Sequence, residues 1–271
     1  MFTHEFVRNA YLAGTFVAVA CGTIGWLVVL RAQVFAGDAL SHVAFVGAIG
    51  AAVLGVDERV GLFVVTLAVA GAMGLLGPRA RADDVVIGTT LAWVLGVGAL
   101  LLALLATSTS GASGITTANA LFGSIYSLGT AGSYAAAAVA LAVTVLVTAA
   151  ARPLLLSTLE PESAALRGVP VRLLGLGFLA ALAVICAQST QAVGALLLLG
   201  LIAAPAGAAR ALTARPYAAL GLSGALAVGA MWGGLALSYL ISGLPPSSAV
   251  ILLAAGIYAL CAGVGRRRQR Q

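Results

Sequence analysis

The chain has 271 residues, 62% of them hydrophobic and 8% charged, with 34 glycines and a formal net charge of +6. A soluble domain carries about 25% charged residues, so this composition excludes one and points to a membrane protein whose glycines let helices approach closely. Every one of the 14 positive charges is an arginine; without lysine there is no phosphate loop of the Walker A type, and ATP hydrolysis by that route is excluded. Those arginines fall in short links between apolar runs. That pattern fits membrane topology, and a continuous nucleic-acid-binding face is absent. Cys21, Cys186 and Cys261 lie far apart within apolar runs with no CxxC pair, which reads as small buried hydrophobes.

Crossing the hydrocarbon takes about 20 apolar residues. Such runs are predicted at 10–30, 35–55, 60–77, 85–106, 134–151, 173–187, 190–209, 217–240 and 247–264. The expected fold is all-α, a polytopic bundle of eight or nine membrane helices forming one permease domain over residues 1–271. The first run lacks the cationic flank of a cleaved signal and is read as a retained span. The 173–187 run is short, which suggests a tilted or broken helix, or one paired tightly with its successor. With the Arg266–Arg268 and Arg270 end in the cytoplasm, nine crossings put Arg31, Arg79, Arg81, Arg152, Arg167, Arg172, Arg210 and Arg215 inside as well. Only Arg8 and Arg59 fall outside, each beside acidic neighbours. This obeys the positive-inside rule and places the N-terminus outside a cell membrane.

The second run opens with Gly37-Asp38-Ala39-Leu40-Ser41-His42. A spacing of four puts Asp38 and His42 on one helix face, one turn apart. A carboxylate beside an imidazole is a ligand pair for a divalent transition metal, and ionisable groups are costly in lipid unless they have a function. The same residues admit a plainer reading: Asp38 caps the start of the helix and His42 packs between helices. Two links stand out further on. Residues 107–133 carry no charge and include the amphipathic stretch Leu121 to Tyr126, either a packed interfacial segment or an outer gate. Residues 152–172 are the most charged internal segment. There Pro161 suits a first helical turn, Glu162 suits the positive end of the dipole, and Gly168 suits a stop. A short surface helix at about 159–168 is the result, a connector or a lever for a cytoplasmic partner.

Three stretches make the chain resemble the permease subunits of the zinc, manganese and iron importers among the ATP-binding-cassette transporters. They are Val29-Leu30-Arg31 leading into Gly37 to His42; Glu160 to Val171, with Glu160, Glu162, Ala164, Leu166 and Gly168 on the coupling-helix pattern; and Gln191-Ala192-Val193-Gly194 followed by Ile202 to Arg210. Ser238-Tyr239 with Leu244-Pro245 adds to the likeness. The resemblance implies a homodimer, two copies of a cytoplasmic ATPase docked on the 160–168 helix, and an extracytoplasmic metal-binding protein. It also implies that Asp38 and His42 bind the ion in the membrane. Two departures stand out: no proline follows His42 within Val43 to Gly47, and Ser124 follows Leu121-Phe122-Gly123, where the family often has an acid or amide.

An ion in such a path loses water and needs compensation. One carboxylate and one imidazole offset part of the cost, and waters, carbonyls or the Ser41 hydroxyl are further candidates. The metal is a transported substrate, with no permanently bound cofactor and no enzymatic activity expected. The ligand types suit zinc, iron and manganese alike. Alternatives are a permease for metal chelates of the siderophore or cobalamin class, and a gradient-driven ion transporter using Asp38. An intramembrane zinc protease is disfavoured, because no His-Glu-x-x-His is present.

Overall fold

The computed structural model describes residues 5–77, 84–108, 125–195, 198–241 and 243–269. Those residues form helices, a single 3-10 turn at Ile125–Ser127, and no strand. In chain order the helices are α1 (Glu5–Leu30), α2 (Val34–Val53), α3 (Glu58–Leu76), α4 (Asp84–Ser108) and α5 (Thr130–Ala149). Next come α6 (Ala151–Leu159), α7 (Pro161–Leu166), α8 (Val171–Val193), α9 (Leu198–Leu212), α10 (Pro216–Leu240) and α11 (Pro246–Gln269). Eight of them, α1 to α5, α8, α10 and α11, are long and apolar enough to cross a membrane. At 15 residues, α9 reaches only about 22 Å.

Two sequence boundaries move. The 173–187 run is not short: α8 extends over 23 residues to Val193, and the shortened element is its successor, α9. Residues 151–159, expected as part of a link, are helical, because Pro153 falls in the first turn of α6, where its missing N–H costs no helix bond. The expected surface helix is α7, with Pro161 at its start. The 107–133 link lies largely outside the described residues. Within its described end, Tyr126 donates from its hydroxyl to the Leu235 carbonyl at 3.2 Å and meets Phe6 edge-on at 5.7 Å, and burial pushes its phenol pKa up.

The chain divides into two compact units. One holds α1, α5, α9, α10 and α11. Its helices meet through glycine. A β-carbon at Gly22 would lie 2.6 Å from the Ser223 carbonyl oxygen and 2.7 Å from the Gly224 Cα, so α1 and α10 are in backbone contact. The Ser223 hydroxyl, fully buried, donates to the Gly22 carbonyl at 2.6 Å. Gly25 is pressed against the Ile202 carbonyl of α9 in the same way. Near the other end of α1, Trp232 donates its indole N–H to the Thr15 hydroxyl at 2.8 Å and packs edge-on to Tyr11.

The second unit holds α2 from Phe35 onward, α3, α4, α6, α7 and α8. Here α2 and α3 cross at Gly47 and Gly61, where a β-carbon on Gly47 would sit 2.7 Å from the Gly61 carbonyl. Ala44, Ala48, Leu62 and Ala187 fill the space where α2, α3 and α8 converge. Lipid tails are as apolar as leucine, so hydrophobic transfer does not hold such helices together; close van der Waals approach does.

This makes glycine substitutions unequal. Gly22→Ala is expected to lower the thermal midpoint, at a cost of about 1–3 kcal/mol for overpacking. Gly71→Ala, whose β-carbon meets nothing within 4 Å, is expected to be neutral or stabilising by up to about 1 kcal/mol. Thermal unfolding of both variants in detergent checks the contrast; equal midpoints would refute close approach at Gly22.

Candidate ion site

Asp38 and His42 both lie on α2 and both are half-buried. Asp38 is the fifth residue of the helix, past the free N–H groups of the first turn, so it does not cap the start. Neither its carboxylate nor the His42 imidazole makes a hydrogen bond or ion pair with another described residue. Two ligand-type side chains one turn apart are therefore free to bind something else. Among the described residues no group of three or more His, Cys, Asp or Glu side chains comes together. Among the described residues the pair therefore has no third side chain of those types beside it.

The residues between and before the pair are anchored. Ser41 is fully buried, and its hydroxyl faces two carbonyl acceptors, Asp38 at 2.7 Å and Ala195 at 3.0 Å. Its proton is engaged with the backbone, which makes it a tether where the sequence offered it as a ligand. One turn earlier the buried Cys186 thiol donates to the Gly37 carbonyl at 3.4 Å. Cys21 and Cys186 are free and buried as expected, Cys261 half-buried, but Cys186 is more than filler. Both tethers come from the end of α8, which holds a polar run in an otherwise apolar helix: Gln188, Ser189 and Thr190 are all buried. Thr190 donates back to the Cys186 carbonyl at 2.7 Å, a bond that lets a hydroxyl sit inside a membrane helix.

The turn that receives Ser41 depends on Gly194. Its φ of 89° and ψ of 157° lie in a region that is essentially glycine-only. That conformation ends α8 and presents the Ala195 carbonyl to α2. No sequence signal marked Ser41, Cys186 and Ala195 as a set, because residues 41, 186 and 195 meet only through the fold.

The other sequence-predicted residues gather on α7, away from any ligand role. Ala164 is fully buried, while Leu166 is 90% exposed and Leu159, just before the helix, is 62% exposed. Glu160 and Glu162 are exposed. Gly168 closes the helix at a φ of 76°. Its N–H donates to Ala165 and the Val169 N–H donates to Ala164, both at 3.0 Å, the paired bonds of a Schellman stop. Removing the Ser41 tether is expected to loosen the other end of this unit. Ser41→Ala should cost about 1–3 kcal/mol by leaving the Ala195 carbonyl unpaired, read as a lowered thermal midpoint with membrane insertion intact; an unchanged midpoint would show that the tether holds nothing.

Comparison with known proteins supplies the family. The model of the ABC 3 transport family matches residues 3–264. The manganese transport system membrane protein MntC of Halalkalibacterium halodurans is 27% identical over 263 residues, 96% of this chain and 87% of that one. The chelated iron transport system membrane protein YfeD of Yersinia pestis is 27% identical over 205 residues, 75% of this chain and 67% of that one. Among solved structures, PsaBC from Streptococcus pneumoniae in complex with Fab shares the fold at a TM-score of 0.82 and 23% identity, covering 96% of this chain and 91% of that one. A family match over nearly the whole length agrees with the motifs that carry the resemblance, and the chain belongs to the ABC 3 transport family.

Proposed function

We propose that the chain is the membrane permease of an ATP-driven importer for a divalent metal ion, and that the ion passes Asp38 and His42. The observation that carries the reading is this pair: half-buried, one turn apart on a membrane helix, and bonded to no other described residue. An ion entering a low-dielectric path must exchange water for compensating groups, and one copy contributes a carboxylate and an imidazole. A second copy doubles the set, which is why we place the path beside a homodimer axis. Two pairs without thiolate bind a hard or borderline dication weakly enough for release, as transport requires. Manganese and iron are the favoured substrates, from the names of the relatives; the ligand types would also accept zinc.

Energy comes from a separate cytoplasmic ATPase, and delivery from an extracytoplasmic metal-binding protein. The family supports both partners. The docking element for the ATPase is α7, with the surrounding Glu160, Glu162, Ala164, Leu166 and Gly168. A leucine that is 90% exposed on a six-residue helix is an anchor without a pocket in its own chain, and Ala164 holds the helix down from beneath. The arginine distribution puts this face in the cytoplasm and the N-terminus outside.

Asp38→Ala and His42→Ala are each expected to lower uptake of radioactive manganese by at least about a hundredfold, judging from what the loss of metal-orienting groups costs elsewhere. Co-purification with the ATPase should persist in both. Parental uptake by both variants would reject the site. Retained uptake of an iron chelate with loss of free-ion uptake would favour the chelate reading suggested by the Yersinia pestis relative. Leu166→Glu should abolish co-purification with the ATPase while the chain still inserts in the membrane; an undiminished complex would remove α7 from the interface.

A further inference from the structure

We infer that this protein carries a specific site for the headgroup phosphate of an anionic phospholipid, built where α1 and α9 end and α10 begins. A cavity of about 250 Å³ opens there, lined by Trp26, Val29 and Leu30 of α1, Arg210 of α9, Thr213 and Ala214 of the following link, and Ala219 of α10. The lining divides by chemistry. Trp26, Val29, Leu30, Ala214 and Ala219 form an apolar wall continuous with two membrane spans. Arg210 and Thr213 stand at its polar edge.

The polar side chains that line this cavity offer hydrogen-bond donors. Trp26 is 6% exposed, and its indole N–H has no hydrogen-bond partner among the described residues. The exposed Arg210 guanidinium makes no ion pair or hydrogen bond with them either. Thr213 accepts the Arg215 backbone N–H at 3.3 Å, which leaves its own proton without an acceptor among the described residues. None of the lining residues is acidic. A ligand rich in acceptor oxygens and negative charge satisfies all three groups at once.

The surroundings point to a lipid over a soluble anion. Free phosphate gains nothing from five apolar wall residues, whereas a glycerol backbone and the first methylenes of its acyl chains do. The positive charge is also concentrated at this end. Arg215 follows the cavity directly, and a β-carbon on Gly265 would lie 2.6 Å from the Ala211 carbonyl. The helical continuation of α11 through Arg266, Arg267 and Arg268 therefore departs from beside α9. Basic pockets between membrane helices on the cytoplasmic side are the setting in which anionic headgroups are held, and the arginine distribution assigns this end to that side. The cavity is lined by residues of one unit alone, and its ligand chemistry does not depend on the metal transported.

Native mass spectrometry of the full chain, titrated in detergent with phosphatidylglycerol or phosphatidylcholine, tests it. One phosphatidylglycerol per chain should bind at least about fivefold more tightly than phosphatidylcholine, the discrimination that one arginine supplies near a membrane surface. Arg210→Gln should lose that preference, and Trp26→Phe, which keeps the ring and removes one donor, should weaken it in part. Arg8→Gln, at the opposite end of α1, should change nothing. The proposal is overturned if Arg210→Gln binds phosphatidylglycerol like the parent, or if phosphatidylcholine binds equally. It also fails if inorganic phosphate displaces the lipid at comparable concentration, which marks a free-anion site. Adding the cytoplasmic ATPase is the last arm: if it strips the lipid from the parental chain, the cavity is a protein interface and the proposal fails.

Discussion

An acidic side chain in the hydrocarbon must be offset by something, and the placement of the seven acids among the described residues shows how strongly that constraint acts. Glu5, Glu58 and Asp84 sit in the first turns of α1, α3 and α4. Asp57 caps α3 by accepting the Arg59 N–H at 2.8 Å. Glu160 and Glu162 flank Pro161 at the start of α7. Each of these lies at a helix N-terminus, where free N–H groups and the dipole favour negative charge. Asp38 is different. It sits a full turn inside α2, next to a histidine and without a described partner. In the function proposed above, its compensation comes from a transported dication together with a second copy, which also accounts for the imidazole.

The same constraint explains why the hydroxyls around the pair are satisfied. Ser41 and Thr190 are buried hydroxyls in membrane helices, and each gives its proton to a backbone carbonyl. Among the described residues the Asp38 carboxyl and the His42 imidazole stay unpaired while these hydroxyls are engaged, and the amide of Gln33, just before α2, is buried without a hydrogen-bond partner as well.

Much of this was legible in the sequence, and the reason is local. The i,i+4 spacing of Asp38 and His42, the proline start and glycine stop of α7, and most apolar runs are properties of consecutive residues. Gly168 reads as a stop because only the left-handed conformation completes a Schellman pair, and its φ of 76° is that conformation. The end of α8 was not legible. Gln188, Ser189, Thr190 and Gln191 look like the edge of a span, yet they continue the helix; the Thr190 hydroxyl bonds back to the Cys186 carbonyl, and the Gly194 N–H closes on the Thr190 carbonyl. Arg152 and Pro153 likewise look like a link when read alone, and α6 emerges only from the folded backbone.

The elements assigned to ATPase docking and to ion binding share a structural member. After α7 the chain turns through Gly168 and Pro170 and enters α8, whose 23 residues extend about 34 Å. The far end of α8 carries Cys186, and Gly194 and Ala195 follow it; the Cys186 thiol and the Ala195 carbonyl are the two groups that hold Gly37 and Ser41 of α2. Helices resist stretching, and the Gly194 conformation leaves few alternatives for the turn. In the function proposed above, displacement of α7 by the ATPase has a mechanical route to the helix that presents Asp38 and His42, through α8 and two hydrogen bonds. The bonds are the weak members of that route. Each is worth about 1 kcal/mol net, small enough to break and reform within a transport cycle, whereas the glycine contact of α2 with α3 at Gly47 and Gly61 is backbone against backbone and has no such freedom.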